Sequence, residues 1–325
     1  MTRYLVTGGA GFIGSHLCDA LLGRGDSVVA IDDLSTGNLA NVKQASGNPN
    51  YKFVVAPVQV GNAVNQYITG CDAVIHLAAA VGVRLVMDEP VRTISINVDG
   101  TANVLRIAAA RHVPVLLAST SEVYGKSTHI PFRENDDLLL GPTHNHRWSY
   151  AVSKLVDEHL GLAYHREFGL PVTVFRLFNT VGPRQTGYYG MVLPRFVAAA
   201  LLDEPLVVYG DGLQERCFCH VQDTVEAIIS LADEPTAPGR VYNVGTEVPI
   251  SILSLAERVI EWTGSKSEIV FKRYEDAYPD GFEDMRRRQP DTTRIRELTG
   301  WEPEHSLYEI VQDVIGWMEV GYTAV

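Results

Sequence analysis

The stretch "VTGGAGFIG" constrains this chain more than any other. It follows the apolar run "RYLV" at once and leads into "FIGSHLCDALLGRG", where Leu17, Ala20 and Leu21 recur at helical spacing. Gly8, Gly11 and Gly14 therefore sit in a strand–turn–helix unit. Glycine lets the backbone turn sharply and approach a ligand closely. The opening of the helix adds free N–H groups and a partial positive charge, which together suit a pyrophosphate.

The following strand, "SVVAIDD", ends in Asp32 and Asp33. A carboxylate there accepts hydrogen bonds from the adenosine ribose hydroxyls and repels a 2′-phosphate, so NAD is favoured over NADP. The alternation continues through "YKFVV", "DAVIHLAA", a helix from about Val91 to Arg111, "VPVLLAST", a helix from about Ser149 to Phe168, and "PVTVFRLFN". Near-continuous apolar strands separated by helices predict a doubly wound (Rossmann) α/β fold, its parallel sheet covered on both faces. Beyond Asn179, Gly, Pro and aromatic residues become frequent, as in "TVGPRQTGYYG", "VVYGDG" and "AYPDGF". Residues 1–178 are expected to form the NAD-binding domain. Residues 179–325 are expected to form a smaller mixed α/β substrate-binding domain. A segment near 214–246 is expected to return to the first domain, because "RVYNVG" still reads as a sheet strand.

The net charge of −12 over 325 residues argues against nucleic acid or an anionic membrane as partner. An anionic ligand then needs positive groups concentrated locally. Of the four cysteines, Cys217 and Cys219 lie beside His220 in "RCFCH", but no second ligand pair stands at zinc-site spacing. The alternation predicts one strand with both cysteines on one face, and no metal. No apolar run approaches the roughly 20 residues of a membrane span. The first strand begins by residue 3, leaving no room for a signal peptide, and a reduced, cytoplasmic protein is expected.

Two stretches carry chemistry. In "RWSYAVSK", Tyr150 and Lys154 are four apart at the start of a helix and share a face. A tyrosine titrates near 10, so to serve as a base it needs the neighbouring ammonium and the positive nicotinamide ring to lower it. In "STSEVYG", the hydroxyls of Ser119, Thr120 and Ser121 and the carboxylate of Glu122 end a buried strand, as a loop start or as a reaction site.

Taken together, "TGGAGFIG", "STSEVYG", "YAVSK" and "RLFNTVGPR" resemble the extended short-chain dehydrogenase/reductase family, which holds NAD-dependent epimerases and dehydratases of nucleotide sugars. The resemblance covers nearly the whole chain. It implies that NAD is tightly bound and recycled, that Tyr150 is the base, and that Lys154 holds the nicotinamide ribose. One hydroxyl of Ser119–Ser121 is then implied to bond the sugar's 4-oxygen. Further cofactor contacts are implied for Phe12, Ile13, Leu77, Ala78, Ala79, Asn97 and Ser119. The family's adenine-reading aspartate after the third strand is replaced near Pro57 in "VVAPVQV". For a UDP-sugar, the resemblance points to Asn179, Val192, Arg195, Tyr209, Gln214, Arg216 and Arg288. Arg286 and Arg287 read as solvated charge.

The candidate reactions share a 4-keto sugar and part afterwards. A 4,6-dehydratase of this family carries an Asp-Glu pair where this chain has Ser121 and Glu122. Decarboxylation of a 4-keto uronate needs no acid for a leaving hydroxyl, so serine suffices. The triplet Thr120-Ser121-Glu122 resembles that of UDP-glucuronate decarboxylases, in which Arg288 is implied to anchor the carboxylate or donate a proton. Decarboxylation of UDP-glucuronate, to UDP-xylose or the 4-keto pentose, is the reading adopted. The alternatives are a UDP-sugar 4-epimerase, since "GYYGMVLPRF" and "RCFCHV" occur in such enzymes, and then a 4,6-dehydratase. A non-catalytic member would have lost Tyr150 or Lys154. The resemblance also implies a homodimer through the helices at 91–111 and 149–168, with Ala108, Ala109, Ala110 and Ala163 permitting close approach. Arg84 is expected near the site mouth, paired with Asp88.

Overall fold

The apolar runs of the first half pair side by side as parallel strands. The computed structural model describes residues 1–187, 191–276 and 283–323. The first six strands are β1 (Arg3–Thr7), β2 (Ser27–Asp32), β3 (Tyr51–Val55), β4 (Ala73–His76), β5 (Val115–Thr120) and β6 (Val172–Leu177). The later ones are mostly shorter: β7 (Thr180–Val181), β8 (Leu206–Tyr209), β9 (Glu215–Cys217), β10 (Cys219–His220), β11 (Val241–Val244), β12 (Pro249–Ser251), β13 (Ile269–Lys272) and β14 (Arg287–Arg288). Between the early strands run α1 (Phe12–Gly23), α2 (Gly61–Tyr67), α3 (Val83–Asp88), α4 (Pro90–Arg111) and α5 (Ser149–Phe168). Then come α6 (Val192–Leu201), α7 (Val221–Asp233), α8 (Ile252–Thr263), α9 (Thr293–Thr299) and α10 (Leu307–Thr323).

The large sheet has the order β11-β6-β5-β4-β1-β2-β3 and is parallel throughout. From β1 the chain works outward to β3, then returns to β4 and works outward the other way. The reversal between β1 and β4 lets the loops after these strands part, which leaves a crevice at their carboxyl ends. Thr7 pairs with His76, and Thr120 with Leu177, so the polar strand ends share that edge.

Side chains along each strand alternate between two buried layers. Leu5, Val29, Val74, Leu117 and Val174 meet Val104, Leu105 and Ala108 of α4 on one face. Tyr4, Val6, Ala30, Ile75 and Phe175 meet Leu17 and Leu21 of α1 and Ile228 of α7 on the other. Burying a side chain of this kind fully stabilises by roughly 1.5–3 kcal/mol, which is why the strands read as continuous apolar runs. A third cluster joins α6, β8, α8 and α10 through Phe196, Val208, Leu255 and Ile310. A fourth, with Tyr124, Phe132, Trp148, Phe178 and Met285, underlies the site.

Two expectations need correction. Cys217 and Cys219 do not share a strand: the chain changes sheets at buried Phe218, so β9 pairs with β12 and β14 while β10 pairs with β7. Burial pushes both thiols up to about 12. Ala108 is fully buried in the chain's own core, so it is not free to meet another chain, while Ala109 is partly buried against that core. The large apolar residues that α4 and α5 do expose are Val91, Ile94, Val152, Val156 and Phe168. No described helix is long and apolar enough to cross a membrane. Among the described residues, no group of three or more His, Cys, Asp or Glu is placed to hold a metal ion.

Candidate active site

The crevice opens into a cavity of about 870 Å³ walled by Gly8, Gly11, Phe12, Ile13, Gly14, Asp32, Asp33, Leu77, Ala78 and Ala79. Gly8 has φ 73°, where a side chain is disfavoured. A Cβ on Gly14 would run into the Gly8 carbonyl oxygen. The turn therefore closes on bare backbone at the start of α1. Asp32 is fixed in the wall by the N–H groups of Ala10 (3.0 Å) and Leu34 (2.8 Å). Burial is the largest influence on its carboxyl and raises its pKa against those donors.

Asn97 is not part of the wall. Its Oδ1 accepts from the Ala80 N–H (2.8 Å) and its Nδ2 donates to Ser153 Oγ (2.9 Å), so it fastens the loop after β4 to α5. Pro57 is also off the wall, which Ala56, Val58 and Gln59 form instead. Gln59 Oε1 is buried with no hydrogen-bond partner among the described residues. Bare helix start, ribose-facing carboxylate and orphaned amide oxygen together fit a dinucleotide. Trp317 and Met318 of α10 also line this cavity. Nothing local marks them, because their placement depends on how the C-terminal helix docks.

α5 turns a polar face inward: Tyr150, Ser153, Lys154, Asp157 and Glu158 are all buried. Charges persist there because each is paired. Lys154 Nζ donates to Asp157 at 2.7 Å, and Arg176 of β6 grips Glu158 at 2.7 and 2.9 Å. Ser119 Oγ also donates to Glu158, at 2.5 Å. Ser121 is buried off the wall and meets Arg288 Nη1 at 3.5 Å. Of the three, Ser119 and Thr120 line the second cavity, and Thr120 is the one that favours the ionised form of Tyr150. The lowering of the Tyr150 pKa expected from Lys154 together with the nicotinamide ring is not produced by the protein's own groups. Burial raises it most and the Glu122 and Asp157 carboxylates raise it further, outweighing the opposing influence of Thr120 and Arg288.

A second cavity, of about 340 Å³, adjoins the first at Phe12, Ile13, Ser119 and Tyr150. Asn179, Val192, Arg195, Tyr209, Gln214, Arg216 and Arg288 all line it, as expected of a nucleotide-sugar pocket. Arg195 lies over the Tyr209 ring at 4.9 Å. β14 lies parallel to β9 with Arg287 opposite Glu215 and Arg288 opposite Arg216. Alternation along the strand therefore points Arg287 outward to its Glu215 salt bridge (2.6 Å) and Arg288 inward. Arg286 pairs outside with Asp211. The side chain of Arg84, in α3, lies outside the described residues.

Arg147 was not singled out from the sequence, although it stands three residues before Tyr150. Its one-turn helix, His146–Trp148, aims the guanidinium at Glu122, which it grips with two nitrogens, Nη2 at 3.0 Å. Arg288 Nη2 approaches the same carboxylate at 3.6 Å. Burial alone would raise the Glu122 pKa, but Arg147 and then Arg288 outweigh it and hold the carboxyl at about 2. Burial, with Arg216 and Arg147 nearby, brings Arg288 down to about 10 against the pull of Glu122. Among the described residues, four arginines (Arg147, Arg195, Arg216, Arg288) and two carboxylates (Glu122, Asp284) line this cavity, a positive excess in an acidic chain.

Residues 4–245 match the family model described as "NAD dependent epimerase/dehydratase family". Over 97% of both chains the protein is 42% identical to the UDP-N-acetyl-alpha-D-glucosaminuronate decarboxylase of Bacillus cytotoxicus. It is 39% identical to UDP-glucuronic acid decarboxylase 2 of Arabidopsis thaliana over 94% of this chain, which spans 65% of that protein's length. Among solved structures it is similar to the UDP-glucuronic acid 4-epimerase of Bacillus cereus in complex with UDP-glucuronic acid and NAD. That likeness has TM-score 0.87 and 28% identity over 99% of this chain and 100% of the other. The UDP-glucose 4-epimerase of Thermotoga maritima with UDP-glucose gives TM-score 0.89 and 29% identity, again over 99% and 100%. The fold, the dinucleotide cavity and these matches agree: the chain is an NAD-using enzyme and belongs to the NAD-dependent epimerase/dehydratase family.

Proposed function

We propose that the chain decarboxylates UDP-glucuronate through a 4-keto intermediate, giving UDP-xylose, the UDP-4-keto pentose or both. The observation that carries this is the grouping of Arg147, Glu122 and Arg288 beside Tyr150. NAD supplies the hydride acceptor, and later the donor, at C4 of the sugar. Tyr150 takes the proton of the 4-hydroxyl, and Thr120 shares the hydrogen bond to that oxygen. The resulting ketone stands β to the C5 carboxylate. The C5–C6 bond then breaks, carbon dioxide leaves, and the electron pair passes to the 4-oxygen as an enolate. A proton returns to C5.

Glu122, at about 2, carries no proton to deliver near neutral pH. Its part is to orient the ring and Arg288, while Arg288 is the protonated group at that place. An ionised Glu122 beside Ser121 also leaves a 4,6-dehydratase without an acid for the departing hydroxyl. The positive excess of the cavity supports a substrate with a carboxylate besides its diphosphate. The enzyme is proposed to act as a homodimer.

A second substrate, the 2-acetamido analogue UDP-N-acetylglucosaminuronate, is supported by the Bacillus cytotoxicus relative. Incubation with each uronate, following carbon dioxide and product mass, tests both. An isomer of unchanged mass would overturn decarboxylation in favour of epimerisation. Loss of water from UDP-glucose would point to a dehydratase.

A further inference from the structure

Below the substrate cavity, Asn243 of β11 is fully buried and does not line either cavity. Both polar atoms of its carboxamide are engaged. Oδ1 accepts from the Tyr124 hydroxyl (2.7 Å), and Nδ2 donates to the carbonyls of Phe132 (2.9 Å) and Asp291 (3.1 Å). An amide holds an acceptor oxygen and two donors in a fixed fork, and here both donors and the oxygen are used.

Two of the partners, Tyr124 and Asp291, belong to the segments that carry the reaction's charged groups, and Phe132 is bonded to the second of these. Tyr124 closes the one-turn helix Ser121–Tyr124, which holds Glu122. Asp291 lies three residues after Arg288, and the chain between them is bound to Phe132 by two backbone bonds of 2.8 Å, Phe132 N to Gln289 O and Asp291 N to Phe132 O. Glu122 and Arg288 come from opposite halves of the chain, yet they meet at 3.6 Å. Tyr150 and Lys154 stand on α5, to which none of these Asn243 side-chain hydrogen bonds goes.

We infer that Asn243 is a positioning residue that sets the approach of Arg288 to Glu122, and so governs the steps after oxidation at C4. The identity of those steps rests on the decarboxylase reading; the tie between the two segments does not. Tyr124→Phe removes one hydroxyl and leaves the ring stacked on Phe132 at 4.5 Å, so it tests the tie in a chain that keeps its packing. Asn243→Asp keeps the acceptor but sets a carboxylate against two carbonyls, and its effect should be the larger.

The NAD-loaded variants are compared with wild type in two ways. Hydrogen exchange is followed in residues 121–125, 287–291 and α5, and turnover of UDP-glucuronate is followed together with the absorbance of reduced nicotinamide. Exchange should rise in both segments together and not in α5. The kcat should fall about tenfold, as loosened catalytic geometry does, with KM within about twofold and reduced cofactor accumulating. Exchange that rises only in residues 121–125, or a folded Tyr124→Phe with wild-type kcat and no reduced cofactor, overturns the proposal. Should wild type turn UDP-glucuronate over without releasing carbon dioxide, the decarboxylase reading fails and the exchange comparison alone decides the tie. If Asn243→Asp does not fold, Tyr124→Phe decides.

Discussion

Glu122 is a carboxylate defined by its neighbours. A free glutamate titrates near 4.5, and this one is held at about 2 by Arg147 and Arg288 against the opposing effect of burial. The fold thus favours its ionised form. The stability this contributes is complete above about pH 4.5 and is lost as pH falls toward 2. Glu122→Gln should lower the melting temperature near neutral pH, because it leaves Arg147 buried without its counter-charge, a loss of about 3–5 kcal/mol. Calorimetric melts across pH should show the gap to wild type narrowing through that acid window. Gln59 offers a second residue-scale test. Its orphaned amide oxygen lies in the cofactor wall where the family aspartate is missing. Gln59→Leu should weaken NAD by about fivefold to tenfold, the effect of one buried hydrogen bond, measured by titration calorimetry on the apoprotein. The carboxylate at 122 was legible in the sequence. Its ionisation was not, because Arg147 and Arg288 reach it from separate segments.

The elements explain which arginine of "RRR" matters. β14 is only two residues long, yet its register against β9 sends Arg288 into the cavity and Arg287 to an exposed salt bridge. Exposed pairs contribute about 0–1 kcal/mol, so Arg287→Ala should leave turnover within about twofold of wild type. Arg288→Ala should lower kcat by on the order of 10²-fold or more, because a preorganised charge beside the reacting carboxylate is removed. Steady-state kinetics of the two variants decides this. α5 carries the other element-scale lesson. A helix with a buried face made of tyrosine, serine, lysine, aspartate and glutamate is costly unless every charge is met. The motif "YAVSK" revealed Tyr150 and Lys154, but Asp157 and Glu158 are understood only with Arg176 of β6 in place. Asp157→Leu strands the Lys154 ammonium and should destabilise the protein by about 3–5 kcal/mol in chemical denaturation.

At the scale of the molecule, two things were readable from the start: the parallel sheet, from strand and helix periodicity, and the dinucleotide crevice, from the glycine turn and Asp32. The contacts that complete the site were hidden by distance along the chain. Trp317 and Met318 reach the cofactor cavity from the last helix, and Arg216 and Arg288 converge through pairing of two very short strands. The part given to Ala108 in the expected helix pairing was misread for a related reason. Small residues on α4 suggested close contact with another chain, but Ala108 is consumed by the chain's own core. The apolar side chains that α4 and α5 leave outside include Val91, 78% exposed, Ile94, 42%, Val152, 43%, and Val156, 42%. The first pair is spaced i, i+3 and the second i, i+4, so each forms a stripe on one helical face. α4 and α5 pack against each other, so a second copy offering the same two helices would complete a four-helix bundle and bury both stripes. Sedimentation velocity should give twice the mass of one chain. Val152→Glu combined with Val156→Glu places charges in that contact and should halve the mass while circular dichroism stays unchanged. A wild-type chain that sediments as a single copy at micromolar concentration would show that these valines are simply solvated.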